Sequence, residues 1–412
     1  MNNMMEPKIR FKGFEGEWKA PSIGEVFELR NGYTPSKAVN AFWEGGTIPW
    51  FRMEDIRTNG GILKDAIQHI TPLAVKGAGL FEKNSIILAT TATIGVHAML
   101  IADSLANQQF TNFKVRKSLS DKYINEFLYY SFFNIDEWSK KNTNTGGLLS
   151  VNMPLLVKQP LYSPCKQEQQ AIATYFTSLD SQISAATSRL ASLKQMKAAS
   201  LQAMFPQEGE TVPKIRFKGF EGEWKKVKLG DIAKFTKGQG YSKSDLKETG
   251  QPIILYGRMY TKYQFVIDEV DTFANLKDAS ILSKGDEIIM PASGETPEDI
   301  ACASAVLAKD IILGGDLNIM HFDLTKISTP YIALVITYSK THHDLSKCAQ
   351  GKSVVHLHNG AISRATISLP SLAEQQAIAS YFTSLDRQIS LQSQRLEKLK
   401  QIKSACLDKM FV

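Results

Sequence analysis

Two stretches of the chain place apolar residues in alternating steps of four and three, which is the periodicity of a coiled-coil helix. In residues 168–205 the repeating positions are Ile172, Phe176, Leu179, Ile183, Ala186, Leu190 and Leu193. In residues 374–411 they are Ile378, Phe382, Leu385, Ile389, Gln392, Leu396 and Leu399. Neither stretch contains glycine or proline. The pattern predicts two helices of roughly 57 Å each, at about 1.5 Å per residue.

Each predicted helix has one apolar stripe, and a stripe of this length needs a second surface to cover it. The two stripes share a heptad phase, so we expect the helices to pack as an antiparallel pair related by a pseudo-two-fold axis. In the alternative arrangement, each helix covers only the domain that precedes it. The segment "PQEGETVP" (residues 206–213) would then join two independent halves.

The chain also repeats itself at a distance of 206 residues, which is half of its length of 412. Residues 7–18 and residues 213–224 both read "PKIRFKGFEGEW", and residues 168–205 match residues 374–411 at 25 of 38 positions. Internal duplication of this kind makes each half one structural repeat. We therefore predict a domain at residues 1–165, a helix at 166–206, a second domain at 207–371 and a second helix at 372–412.

Between the repeated blocks, short β-branched runs alternate with helical stretches. Examples are "SIILATT" (residues 85–91), "DEIIMPA" (residues 286–292) and the helical "DKYINEFLYYSFF" (residues 121–133). This mixture predicts an α+β fold with a largely antiparallel sheet in each domain. Near their beginnings the domains match without gaps, and the matched pairs are Gly24 with Gly230, Gly32 with Gly238, Trp50 with Tyr256 and Arg52 with Arg258. We therefore expect the two domains to share one fold and to differ in their surface residues.

Composition limits the class of protein. A hydrophobic fraction of 43% with 22% charged residues is typical of globular domains. The sequence has no apolar run long enough to cross a membrane and no apolar leader, so we expect a cytoplasmic protein without a membrane partner. The four cysteines form no Cys-x-x-Cys pair, which argues against a zinc site or a disulfide framework. The net charge of +7 is compatible with a polyanionic partner.

Motifs for catalysis and nucleotide binding are incomplete. The sequence contains no Pro-Pro dipeptide, which the Asn/Asp-Pro-Pro-aromatic motif of adenine methyltransferases requires. The stretch "KGAGLFEK" (residues 76–83) lacks the third glycine of a dinucleotide fingerprint, and "GKS" (residues 351–353) has Ser346 where a phosphate loop has glycine. The spacing of His342, His343, His356 and His358 matches no standard metal site. We expect no catalytic residue, cofactor or metal on this chain.

These features together resemble the specificity (S) subunits of type I restriction-modification systems. The resemblance rests on the duplicated plan and on "SPCKQEQQAIATYFTSLDSQI" (residues 163–183) with its echo "LPSLAEQQAIASYFTSLDRQI" (residues 369–389). It also rests on "GYTPSK" (residues 32–37), followed by "GGTIPWFRMEDI" (residues 45–56). The resemblance covers nearly the whole chain. The second domain departs from it, because "KGQGYSK" (residues 237–243) lacks the Thr-Pro pair.

Membership would imply a protein that selects DNA sites and catalyses nothing itself. Each globular part would be a target recognition domain for one half of a split double-stranded DNA sequence, and the helices would set the gap. Two methyltransferase (M) subunits using S-adenosylmethionine would dock on the chain and methylate adenine N6. Two restriction (R) subunits using ATP and Mg could join them. The rival interpretation is a duplicated coiled-coil scaffold that binds only proteins.

Side chains able to contact bases or phosphates occur in both domains. Arg suits guanine, Asn and Gln suit adenine, and Ser, Thr and Lys mostly contact phosphates. In the first domain the candidates are Thr34, Ser36, Lys37, Arg52, Thr91, Thr93, Asn107, Gln108 and Gln109. In the second they are Gln239, Tyr241, Ser242, Lys243, Tyr256, Arg258, Tyr260, Ser293, Asn318 and Lys352. Arg52 and Arg258 rank first because each follows an aromatic residue at the same offset. The alternative is a shared structural ion pair or stacking contact.

Overall fold

The computed structural model describes residues 6–144, 147–351 and 353–412, which form two compact units. The first unit extends to Thr187 and also contains Arg395–Val412, whereas the second comprises Ser188–Gln394. Each of the two predicted helices therefore contributes residues to both units. Among the described residues, no helix is both long enough and apolar enough to cross a bilayer.

A five-stranded sheet forms the centre of the first unit. Its strands, in spatial order, are Phe27–Asn31, Phe110–Val115, Ile86–Ala89, His97–Leu100 and Ile62–Leu63. Neighbouring strands are antiparallel except the last pair, which is parallel. The third strand is apolar throughout because both faces of the sheet are covered: Ile86 lies in a core with Phe127, and Ile87 lies in a second core with Phe51. The predicted α+β fold with a largely antiparallel sheet is confirmed.

The other elements of the first unit cover this sheet. Helix Asn125–Lys141 supplies the core on one face, and a small sheet supplies the core on the other. The small sheet contains His69–Ile70, Ile48–Phe51 and Leu105–Ala106. The unit also contains the short α-helices Ile23–Val26, Met53–Asn59 and Met153–Leu156, the 3-10 helices Asn40–Phe42, Pro72–Ala74 and Lys117–Lys122, and the strand pair Thr143–Asn144 with Ser150–Val151.

The second unit repeats the topology of the first. Its main sheet contains, in the same order, Ala233–Lys237, Leu317–Phe322, Glu287–Pro291, Ser304–Val306 and Val266–Ile267, and again only the last pair is parallel. The second sheet contains Leu246–Lys247, Phe273–Ala274, Gln251–Ile254 and Ile312–Leu313. Two further strand pairs are Lys225–Lys228 with Thr366–Leu369 and Ser293–Gly294 with Val355–His356. The short helices are Leu229–Ile232, Arg258–Thr261, Pro297–Ile300, Thr329–Tyr338, Lys340–Ser346 and Asn359–Arg364.

The two coiled-coil stretches form the helices Lys166–Ala203 and Leu372–Met410, called the first and second long helix below. In the first unit, Lys403 Nζ lies 2.6 Å from Asp180 Oδ1, and Tyr175 Oη lies 3.4 Å from Cys406 Sγ. The second unit repeats both contacts with Lys197 and Asp386 at 2.6 Å and with Ser200 and Tyr381 at 2.8 Å. Residue numbers rise along one helix as they fall along the other, so the antiparallel pairing is confirmed in both units.

The C-terminal end of each long helix enters a core that belongs mostly to the other half of the sequence. Met410 and Phe411 pack in the first unit beside Phe176. In the same way, Met204 and Phe205 pack in the second unit, in a core that contains Phe382. These exchanged ends rule out two independent halves joined by a linker.

The repeated segments at residues 7–18 and 213–224 are tied to the beginnings of the long helices. Arg10 forms a two-point ion pair with Glu168, with Nε to Oε1 at 2.7 Å and Nη2 to Oε2 at 2.8 Å. Arg10 Nη1 also donates to the Gly16 carbonyl at 2.7 Å. The second copy repeats these three contacts with Arg216, Glu374 and Gly222 at 2.6, 2.7 and 2.6 Å. Both carboxylate side chains are 1% exposed, so each repeated segment has a structural role.

Candidate nucleic-acid interface

Loops at one edge of the first domain bring most of its candidate residues together. Strands Ile48–Phe51 and Leu105–Ala106 are parallel neighbours, so Arg52 and Asn107, which follow them, lie at the same edge. The Asn107 amide donates to the Phe51 carbonyl at 3.0 Å. The loop that begins at Gly32 meets this edge so closely that a Cβ at Gly32 would lie 2.2 Å from the Asn107 carbonyl oxygen, which explains the glycine.

Hydrogen bonds connect the polar side chains of this edge. Thr34 Oγ1 donates to Gln108 Oε1 at 2.5 Å. Asn107 and Gln109 satisfy each other, because Asn107 Nδ2 donates to Gln109 Oε1 at 3.2 Å and the Gln109 amide donates to Asn107 Oδ1 at 3.0 Å. The Thr91 amide donates to the Gln109 carbonyl at 3.3 Å. Five of the predicted residues therefore form two hydrogen-bonded sets next to each other at this edge, Thr34 with Gln108 and Thr91 with Asn107 and Gln109.

The other four candidates of the first domain lie in adjoining loops or at the start of a helix. Ser36 and Lys37 are exposed, and Thr93 is half-buried. Arg52 is half-exposed and precedes helix Met53–Asn59, with its guanidinium 3.1 Å from the Glu54 carboxylate. The loop group thus combines hydroxyl, amide and cationic groups at one edge, a set suited to bases and phosphates.

Lys76 is a cationic residue of this edge that the sequence did not reveal. Its Nζ lies 4.5 Å from the centre of the Tyr33 ring, and its amide donates to Tyr33 Oη at 2.9 Å. The second domain repeats both contacts between Lys277 and Tyr241 at 4.4 and 2.9 Å. The tyrosine and lysine are 43 residues apart in one copy and 36 in the other, so a fixed sequence offset could not expose the correspondence.

The two lysines differ in their neighbours. Lys277 Nζ donates to Asp245 Oδ1 at 2.7 Å, and this hydrogen bond, together with those from Ser242, lowers the pKa of Asp245 to about 2. Within the described ranges, Lys76 has no carboxylate partner. Lys76 therefore presents an uncompensated positive charge. The exposed candidates beside the Tyr241 loop are Gln239, Ser242 and Lys243.

A second group of candidates in the second domain is aromatic. Tyr256 is 40% exposed, and its ring centre lies 6.3 Å from that of Tyr260. Tyr260 Oη donates to the Ser293 carbonyl at 2.6 Å, and Ser293 Oγ donates to Asp316 Oδ2 at 2.6 Å. Burial raises the pKa of Tyr260 above its ordinary value, so its phenol stays protonated and acts as a donor.

A family model described as a type I restriction modification DNA specificity domain matches the chain twice, at residues 15–195 and 221–401. This chain belongs to the type I restriction-modification specificity subunits. The specificity subunit of the Escherichia coli type I restriction enzyme EcoprrI is 37% identical over 247 residues, which cover 59% of this chain and 61% of that relative. The MjaIX specificity subunit of Methanocaldococcus jannaschii is 24% identical over 424 residues, which cover 96% and 92% of the two chains.

The fold of this specificity subunit also resembles a solved structure, the type I S subunit from M. genitalium. The two share 15% sequence identity and a TM-score of 0.61, and the comparison covers 99% of each chain. The likeness therefore extends to both globular parts, which are the two target recognition domains of the specificity subunit.

Four candidates in the second recognition domain of the specificity subunit are buried within the fold. Arg258 Nη1 lies 2.5 Å from Asp271 Oδ1, which fits the alternative of a structural ion pair. Asn318 is fully buried, and its Nδ2 donates to the Leu357 carbonyl at 2.7 Å. Tyr241 and Ser293 are buried as well. Because DNA cannot reach buried atoms, the structure argues against base contacts by these four side chains; Lys352 lies outside the described residues.

The gapless match of Trp50 with Tyr256, and of the arginines two residues later, is not a structural equivalence. Trp50 pairs with Leu105, and at the corresponding position of the second domain Ile253 pairs with Ile312. The counterpart of Trp50 is therefore Ile253. The sequence match is wrong here because one residue separates this strand from the next helix in the first domain, whereas three separate them in the second.

Three of the four histidines considered as metal ligands, and a nearby acid, have structural partners in the specificity subunit. His342 Nδ1 lies 3.1 Å from the Ala301 carbonyl oxygen, and the rings of His356 and His358 stack at 6.2 Å. Potential ligand atoms of Asp286, Glu287 and His321 lie within 4.8 Å of one another. The Glu287 carboxylate already accepts hydrogen bonds from the backbone amides of Lys284 and Gly285 at 2.6 and 2.9 Å, so this cluster supports a turn.

Proposed function

We propose that this specificity subunit recognises a DNA sequence in two separated halves, one with each target recognition domain. The observation that carries the proposal is the repeated fold with unlike loops, because one frame presenting two different surfaces suits two different half-sites. The antiparallel long helices would fix the gap between the halves. The proposed DNA contacts are the described candidate residues that the fold does not bury. They are Thr34, Ser36, Lys37, Arg52, Thr91, Thr93, Asn107, Gln108 and Gln109 in the first domain and Gln239, Ser242, Lys243, Tyr256 and Tyr260 in the second.

We further propose that the chain carries no active site and bears no cofactor. Two methyltransferase subunits would supply S-adenosylmethionine-dependent methylation of adenine N6, and restriction subunits would supply ATP- and Mg-dependent cleavage. The duplicated segments support this assignment, because two copies of one partner need two equivalent surfaces. Ile9 and Ile215 occupy matching places in these segments and are 46% and 58% exposed. Their amides donate to the carbonyls of Lys409 and Ala203 at 2.9 and 3.0 Å, which holds both side chains at equivalent positions.

Replacing Ile9 or Ile215 by alanine is expected to weaken binding of one methyltransferase subunit about tenfold, because a buried aliphatic contact would be lost. The double variant should weaken both binding events. Titration of the subunit with methyltransferase, followed by native mass spectrometry, measures the occupancy of each site. Leu324→Ala, which shortens an equally exposed side chain in a turn outside the repeated segments, is the control. Unchanged methyltransferase occupancy in the double variant would contradict a role of the repeated segments in the methyltransferase interface.

The function is tested by co-expressing the chain with its methyltransferase and sequencing the modified bases of the host DNA. We expect a split motif with methylated adenine in each half. Exchanging residues 20–163 for those of another specificity subunit should then alter one half only. DNA binding by the complex should weaken steeply with added salt as counterions are released. A complex that assembles but shows no such DNA binding would favour the protein scaffold.

A further inference from the structure

The turn that leads into strand Phe110–Val115 carries three amide side chains, and one of them is exposed. Asn107 and Gln109 are half-buried and bond to each other, as described above. Gln108, between them, is exposed. Its Oε1 accepts one hydrogen bond from Thr34 Oγ1 at 2.5 Å, and its Nε2 makes no hydrogen bond to any described residue. Gln108 is thus an oriented amide with two free N–H groups.

The corresponding turn in the second recognition domain has no such group. The Gly314 amide donates to the Ile254 carbonyl at 2.9 Å, as the Asn107 amide does to Phe51. Gly314 therefore corresponds to Asn107, and Gly315 corresponds to Gln108. The backbones of the two turns are alike, but the position of Gln108 carries an amide side chain, whereas Gly315 has no side chain. This is the kind of difference that two unlike half-sites require.

Two lysines lie on or beside the loop whose Thr34 contacts Gln108. Lys37 is exposed in the loop that also carries Thr34, and Lys76 lies over the ring of Tyr33, the residue before Thr34. Neither lysine has a carboxylate partner among the described residues. The lysines can bind phosphates and so position the protein on the duplex. The amide of Gln108 can then contact the edge of a base.

We propose that Gln108 reads an adenine in the half-site bound by the first recognition domain and that Thr34 is its positioning residue. A glutamine amide matches adenine in the major groove, because its oxygen accepts from N6 and its nitrogen donates to N7. The Thr34 hydroxyl occupies one lone pair of Oε1 and leaves the other for the adenine amino group. This inference rests on the proposed function, since it names the base recognised at the same surface.

The test uses the full-length subunit co-expressed with its methyltransferase, and the readout is the methylated motif of the host DNA. Gln108→Ala is expected to reduce the preference for adenine at one position of one half-site about ten- to hundredfold, with the other half-site unchanged. Gln108→Glu, which only accepts hydrogen bonds, should shift that position towards cytosine, whose N4 group donates. Thr34→Val should weaken the same preference, and Thr34→Ser should restore it, while thermal unfolding stays unchanged.

Gln159→Ala provides a matched control, because it removes a half-buried amide that donates to the Leu155 carbonyl at 3.4 Å within the same unit. This variant should retain the whole motif. Full preference at every position in both Gln108 variants, or a change at a base other than adenine, would overturn the inference. A wild-type complex that yields no split motif would instead contradict the proposed function, so the two failures are distinguishable. If Gln108→Ala does not accumulate as a folded protein, Gln108→Glu and Thr34→Val provide the same readout.

Discussion

Removing one heptad from each long helix is expected to shorten the gap between the two half-sites by about three base pairs. Seven helical residues span about 10 Å, and base pairs are stacked about 3.4 Å apart. Suitable deletions are residues 187–193 and 393–399, because they lie between the inter-helix contacts of Asp180 with Lys403 and of Lys197 with Asp386. Both ion pairs are then retained in the shortened pair of helices. The gap is measured by sequencing methylated bases.

The deletion should leave both half-sites unchanged, because it removes no residue of either recognition domain. Removing a heptad changes the rotational phase of a helix by only about 20°, whereas removing three base pairs turns one half-site by about 100° relative to the other. The two recognition domains would then no longer match the orientation of both half-sites, so methylation should also become slower. A deletion in only one helix is the control, since it shifts the two ion pairs out of register and should unfold the pair. Altered half-sites with an unchanged gap would contradict the proposed spacer role.

Replacing Arg216 by alanine is expected to lower the free energy of unfolding of the second unit by about 3 kcal/mol. The substitution would leave the Glu374 carboxylate, which is 1% exposed, without its two-point partner. The hydrogen bonds to Glu374 raise the pKa of Arg216, so the arginine remains charged in the folded protein. Urea denaturation followed by a probe in each unit separates the two transitions. Arg10→Ala should have the same effect on the first unit.

Lys214→Ala is the matched control for this prediction, because it removes an exposed cation from the same repeated segment. The paired change Arg216→Met with Glu374→Leu should recover most of the lost stability, since apolar side chains of similar volume can replace a buried ion pair. Equal stability of Arg216→Ala and Lys214→Ala would mean that the ion pair does not anchor the segment.

The two long helices and their antiparallel direction could be predicted because the heptad pattern that indicates them is local and periodic in the sequence. The buried positions Phe176 and Phe382 follow from the heptad pattern alone, but the pattern does not show that Phe176 packs on Tyr130 of the first domain and on Phe411. The class of the sheet follows from short β-branched runs such as Ile86–Ala89. Its strand order could not be predicted, because it depends on pairings between residues far apart in the chain.

The candidate interface was only partly predictable for a related reason. The Thr34 to Gln108 contact joins residues 74 positions apart, and the sequence could name both without placing them together. Arg258 ranks first in the sequence because it matches Arg52 beside an aromatic residue, but its burial and its ion pair with Asp271 depend on the tertiary fold. Lys76 was missed because a lone lysine carries no signal until its neighbour Tyr33 is known.

The exchanged helix ends also determine the order in which the protein can be completed during synthesis. Met410 and Phe411 belong to the core of the first unit, yet residues 188–394, which belong to the second unit, are synthesised before them. The core of the first unit is therefore completed only after that whole segment, an interval of roughly ten seconds or more at about 5–20 residues per second. A nascent chain that stops before residue 395 lacks part of this core, so we expect proteases to cleave such products first in the N-terminal unit.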